Sequence, residues 1–253
     1  MHRLWAASVF LFLYLPLVVV VVYSFNDSRL NAEWVGFTLG WYRELLRDGD
    51  MLKAAGNSLA VAFISSLIST LLGTMAGIAI QRYRLRFLNF LVMAPVAMPE
   101  ILVGVSLLLF YIQLMYMSLG MLTVVLAHVA FSVGFVAVVV RVSVASLDER
   151  LFEAARDLGA SPFEVFRRIT FPLILPGIIA GFLMAFTLSI DDFVITFFTA
   201  GVGFQTLPLR IYSMIKISVT PEVNAVSTLL MMLTLFLTLV AMRLAPDALK
   251  GKA

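Results

Sequence analysis

Three carboxylates lie where apolar sequence should exclude them. Glu100, Asp191 and Asp192 each interrupt a run long enough to cross a bilayer. An acid at the centre of a membrane helix costs about 2.5–3.5 kcal/mol on insertion scales, so such groups face a cavity, a partner or a cation. The alternative for all three is structural, as ion pairs or helix caps. Counted from the inner end of each run at about 1.5 Å per residue, Glu100 lies about 20 Å deep and Asp191 about 27 Å. Both therefore fall in the outer half of a membrane about 30 Å thick, placed to meet a cation arriving from outside. Pro95 and Pro99 each remove a helix hydrogen bond beside Glu100. Interrupted helix is tolerated at depth where it lines protein or a water-filled cavity. Ser189, Thr196 and Thr199 add polar groups to the aspartate end. Neighbouring helical residues point about 100° apart, so one aspartate faces the path while the other caps or pairs.

The elements that position these acids are legible in the composition. Of 253 residues, 62% are hydrophobic and 13% charged, against about 25% charged in a soluble domain. The chain is an integral membrane protein. Six apolar runs of bilayer-spanning length occupy residues 4–25, 58–80, 87–111, 121–140, 173–200 and 223–244. Their pattern is helical or unbroken, and lipid cannot satisfy the backbone of anything but a helix or a closed barrel. The expected fold is all-α, with six transmembrane helices and residues 1–253 forming one transmembrane domain. The first run is longer than a signal-peptide core and has no small-x-small site before Asn26, so it reads as an uncleaved span. Six spans place both termini on one side. With the termini inside, two thirds of the 18 Lys and Arg fall on inner segments, led by Arg82, Arg84 and Arg86, which sit close to two spans where the positive-inside bias acts. Cytoplasmic termini follow. The net charge of +3 then reports topology, not nucleic-acid binding.

Zero cysteines exclude disulfides, thiol catalysis and cysteine-held metals. The two histidines, His2 and His128, are too few and too far apart for a zinc site. His128, inside the fourth run, reads as a helix-packing hydrogen bond in preference to a ligand or proton relay.

Residues 151–172, LFEAARDLGASPFEVFRRITFP, form a charged, turn-punctuated segment between two apolar runs. Asp148 caps a helix from about Glu149, and Gly159 supplies its left-handed stop. Ser161, Pro162 and Glu164 then make a capping box with proline at the first helical position. That second helix is expected to run to about Ile169, before Pro172 re-enters the membrane. Leu151, Ala154, Ala155 and Leu158 share one face, where small residues let another surface approach. The bland counterpart is an amphipathic hairpin in the headgroup layer.

The spacing of Glu153, Ala154, Ala155, Gly159, Ile169 and Pro172 resembles the EAA loop of ABC-importer permeases, with Phe171 where leucine is usual. The segments LAHVAFS (126–132), FTLSIDDF (186–193), LPLRIYSMIK (207–216) and VTPEVNA (219–225) are similar to permeases of the spermidine/putrescine type. The resemblance implies a MetI-like permease fold whose hairpin, about 146–172, is a coupling helix for an ATPase. It also implies a bacterial inner-membrane location, a second permease subunit forming a heterodimer, two copies of a cytosolic ATPase and a periplasmic polyamine-binding protein. Trp41, Glu100, Ser189, Asp191 and Asp192 match positions that the family associates with polyamine passage; Glu100 replaces the more usual aspartate. A polyamine site wants separated carboxylates and aromatic faces along its methylene spacers. Trp34, Trp41, Tyr42 and Tyr212 supply aromatics, with an interfacial belt as their other reading. The outer segment 199–224, with an amphipathic piece at 207–217, is the expected receiver of the binding protein, with loop packing as the alternative.

No Gly-x4-Gly-Lys-Ser/Thr loop occurs, so the chain is expected to carry no catalytic site, metal or cofactor, with ATP and Mg bound by the partner ATPase. An ion-coupled secondary carrier using the three acids is the rival reading, and the sister permease of a putrescine-specific importer is a closer one. A membrane-embedded enzyme is disfavoured because no ligand cluster or nucleophile–base pair is recognisable.

Overall fold

The computed structural model describes residues 2–28, 33–217 and 220–244. Arg29, Lys250 and Lys252, which enter the topology count, and Val219 of the VTPEVNA segment lie outside the described residues. Twelve α-helices follow in chain order: α1 (His2–Tyr23), α2 (Gly40–Leu45), α3 (Gly49–Tyr83), α4 (Arg86–Ala97), α5 (Glu100–Leu109), α6 (Met121–Ala145), α7 (Glu149–Asp157), α8 (Pro162–Val165), α9 (Phe171–Ile190), α10 (Val194–Thr199), α11 (Leu207–Ile217) and α12 (Pro221–Leu244). Among the described residues the sole extended pairing is an isolated bridge between Asn26 and Phe37.

Among the described residues four helical segments are long and apolar enough to cross a membrane: Gly49–Tyr83, Met121–Ala145, Pro162–Ile190 and Pro221–Leu244. α4 and the helix from Glu100 to Leu114 pass the same test only together, bent by 106°, and make a fifth span if the pair crosses as one. In α1 the apolar stretch Ser8–Tyr23 is shorter than these. The helical membrane fold is as expected, whereas the count of six rests on α1 and on that bent pair.

The chain packs as two units, one from Met1–Asn57 with Gln205–Thr234, the other from Ser58–Phe204 with Leu235–Ala253. In the second unit α6 is the central helix, the most buried of the long apolar helices. Small residues on its neighbours explain why. Added methyl groups at Gly73 and Gly77 of α3 would meet Val136 and the Ala137 carbonyl at 2.6 and 2.8 Å; one at Gly181 of α9 would lie 3.1 Å from Val136. Without a solvent-driven hydrophobic effect between membrane helices, such close backbone approach is a main source of association. Val136, Val140, Ile174 and Ala185 fill the seam.

In the first unit the loop after α1 is tied together by Asn26. Its Nδ2 donates to the Glu33 carbonyl at 2.7 Å, its Oδ1 accepts from the Val35 N–H at 2.9 Å, and its carbonyl accepts from Trp41 Nε1 at 2.7 Å. Leu45, Met51, Ala225 and Val226 form this unit's core, with Trp41, Tyr42 and Ile211 packed against it.

Candidate substrate path and coupling surface

Two helix breaks build the acidic site. The first lies between α4 and α5, whose axes bend by 106°. Met98 is extended (φ −90°, ψ 143°) and Pro99 follows at φ −58°, ψ 133°. The ring of Pro99 disfavours helix at the residue before it, so the chain turns at Met98–Pro99. Pro95 is carried inside α4, so one proline breaks the span and the other does not. Glu100 is then the first residue of α5 and is exposed. Its carboxylate sits at the positive end of that helix.

The second break separates α9 from α10, and here the two aspartates part company. Asp191 closes α9 and is exposed. Asp192 turns inward and caps α10. Its Oδ1 accepts from the Ile195 N–H at 3.3 Å, and its Oδ2 accepts from the Thr196 N–H at 2.8 Å and the Thr196 hydroxyl at 2.7 Å. His128 Nε2 completes the shell, 3.2 Å from Asp192 Oδ2 and 2.9 Å from Thr196 Oγ1. The other imidazole nitrogen, Nδ1, meets Ser189 Oγ at 2.6 Å, and Ser189 Oγ lies 3.1 Å from Ser65 Oγ. The network joins α3, α6, α9 and α10, and Ser189 is buried within it. Packing of α5 on α10 through Val103 and Ile195 sets the two helix breaks side by side.

Trp41 belongs to the other unit. It is half-buried, with its indole N–H held by Asn26 as described. With Glu44, Thr220, Pro221 and Glu222 it lines a cavity of about 310 Å³. Glu44 and Glu222 are two acids that the sequence reading did not join to Trp41. A hint was present: Glu44 stands three residues from Trp41, one turn along a helix. The partner α12 is remote in sequence.

The hairpin forms from its own capping signals. Asp148 Oδ1 accepts from the Arg150 N–H at 3.0 Å and starts α7. Gly159, at φ +80°, stops it, with its N–H donating to the Arg156 carbonyl at 2.8 Å. Ser161 and Glu164 exchange hydrogen bonds at 3.0 and 3.3 Å and start α8. Leu151, Glu153, Ala154 and Leu158 are exposed, Leu158 at 89%, whereas Ala155 is buried. The second helix does not end near Ile169. It passes through a π turn at Phe166–Thr170 directly into α9, with the Phe171 N–H donating to the Phe166 carbonyl. The wider turn accommodates Pro172, which has no N–H to donate. Ile169 is half-buried and Pro172 exposed, and both sit on the continuous helix Pro162–Ile190 that joins the hairpin to the acidic break.

Residues 69–249 match the model of the binding-protein-dependent transport system inner membrane component family. The chain belongs to that family. This permease is 38% identical over 247 residues to the spermidine/putrescine transport system permease protein PotC of Escherichia coli K12, covering 96% of this chain and 93% of the relative. It is 45% identical over 231 residues to the putrescine transport system permease protein PotI of the same strain, covering 88% and 82%. Its fold is shared with a bacterial ABC transporter that imports alginate (TM-score 0.71, 16% identity, 98% of this chain and 95% of that one). The MetNI methionine ABC transporter is also similar (TM-score 0.65, 19% identity, 85% and 100%). The permease therefore has the MetI-like fold expected from its EAA-type segment, and the ion-coupled carrier reading is not favoured.

Proposed function

We propose that this permease carries polyamines across a bacterial inner membrane, and that Glu100 and Asp191 present the charges the substrate meets. The carrying observation is the exposure of these two carboxylates at the ends of two broken helices, in a chain whose relatives are named as spermidine/putrescine and putrescine permeases. A polycation needs separated anions, and irregular backbone at membrane depth belongs where a cavity is lined. Asp192 and Ser189 serve the path indirectly, by holding the α9–α10 break through His128. Trp41, with Glu44 and Glu222, offers an aromatic face beside two acids, a setting that suits an ammonium group.

In this reading α1 is the sixth span and both termini are cytoplasmic, as the basic residues favour. The exposed face of Leu151, Glu153, Ala154 and Leu158 receives a cytosolic ATPase. Two ATPase copies, a second permease subunit and a periplasmic polyamine-binding protein complete the importer. ATP and Mg belong to the ATPase, and this chain supplies no catalytic group. The higher identity to the putrescine permease favours a second reading, in which putrescine is the sole substrate. Uptake by the reconstituted complex, with spermidine and putrescine competing, tests both. Transport of neither would end the polyamine reading, and transport of putrescine alone would select the second.

A further inference from the structure

We infer that the junction of α3 and α4 is a binding site for the phosphate headgroup of an anionic phospholipid. A cavity of about 290 Å³ opens there, lined by Gln81, Arg84, Leu85, Arg86, Asn89 and Arg141 together with Ile80. Three guanidinium groups share it, and among the described residues no carboxylate lies within ion-pairing distance of any of them. All three are exposed, so water screens their mutual repulsion and an anion at the membrane surface can reach them together.

Arg141 is held in place. Arg141 Nε donates to Gln81 Oε1 and its Nη1 to Asn89 Oδ1, both at 3.2 Å. That leaves the rest of the planar fork free to bind a phosphate. Arg84 adopts φ +51°, a left-handed conformation that an arginine rarely takes, and this folds α3 back into α4 across Arg84 and Leu85 alone. α4 begins with no side-chain cap, so the N–H groups of its first turn are also left for an anion. Basic pockets between membrane helices bind anionic headgroups in this way.

The surroundings select a lipid over free phosphate. Tyr83, Phe87 and Phe90 flank the junction at 68%, 74% and 67% exposure. An acyl chain would cover these rings, and a free phosphate would leave them bare. The cavity is small for a whole ligand but sufficient for a headgroup whose tails lie outside. Neither the acidic break nor the hairpin contributes a residue to it.

The test uses the purified transporter complex, incubated with phosphatidylglycerol and phosphatidylcholine together, with retained lipid counted by native mass spectrometry. The wild type should keep phosphatidylglycerol in preference. Arg84→Gln should weaken its retention about fivefold, the value of one basic residue at an anionic surface. Asn89→Asp should weaken it as well, since the new carboxylate repels phosphate while still bonding Arg141 and so preserves the helix packing. Excess inorganic phosphate should displace little. Equal retention by wild type and both variants would overturn the assignment, as would equal retention of the two lipids. Displacement by inorganic phosphate would make it a site for the free ion. Crosslinking of an Arg84→Cys variant to the ATPase without loss of lipid would give the pocket to that partner.

Discussion

His128 Nε2 lies 3.2 Å from Asp192 Oδ2, and both side chains are nearly sealed from solvent, at 2% and 8% exposure. A carboxylate only accepts, so Nε2 carries the proton that faces it. This contact ties α6 to the start of α10 and assigns different roles to two adjacent aspartates. Asp192 is an internal strut, and Asp191 stays exposed at the end of α9.

His128→Ala leaves the Asp192 carboxylate buried without its imidazole partner. Asp192 keeps its hydrogen bonds from Ile195 and Thr196, so the loss is that of one hydrogen bond to a charged group, about 1.5–3 kcal/mol. The expected result is a lower melting temperature for the purified complex and reduced recovery. A variant as stable as the wild type would show that the pair does not hold the break.

Glu100→Gln and Asp191→Asn should behave oppositely. Both residues are exposed, so complex recovery and melting temperature should stay near wild type while uptake falls. Spermidine uptake should fall more than putrescine uptake, because it presents one more ammonium group to the lost charge. Wild-type transport by both variants would remove these carboxylates from the path, and poor assembly would make them structural.

Gly159 is replaced with a choice in mind. A side chain there meets nothing within 4 Å, so any effect comes from its positive φ. Gly159→Val forces a β-branched residue into the left-handed region and should weaken α7 docking by about 1–2 kcal/mol. Gly159→Asn tolerates that region and should stay close to wild type. The measurement is co-purification of the ATPase together with uptake. Equal behaviour of the two variants would point to side-chain size, not backbone conformation.

Two packing glycines separate rigid from yielding neighbours. A methyl group at Gly134 would sit 2.5 Å from the Val92 carbonyl oxygen, whereas one at Gly104 would sit 2.8 Å from a Phe198 ring carbon. Backbone cannot step aside, but a ring can turn. Gly134→Ala should therefore cost about 1–3 kcal/mol by overpacking, with Gly104→Ala costing less, read as melting temperatures of the purified complex. The reverse order would mean that α4 shifts more easily than the ring.

What the sequence determined by itself was whatever depends on neighbours a few residues away. Apolar run length set the helical spans. Asp148, Gly159 and the Ser161–Glu164 box set the hairpin, because a cap is a contact of three or four residues. Glu100, Asp191 and Asp192 stood out as candidates, because a charge in an apolar run is conspicuous wherever it folds. Tertiary structure decided how these parts are used. Pro95 and Pro99 look alike in sequence, yet only Met98–Pro99 breaks the span. Pro172 reads as a boundary, but a π turn carries the helix through it. Asp192 has a local cap partner in Thr196, but it also meets His128, which α6 brings from 64 residues away. Glu222 joins Trp41 and Glu44 only once α12 packs beside α2. A helix's own residues say that it forms and what it displays; the direction a buried polar group takes is set by donors brought from elsewhere in the chain, where a local pattern carries no signal.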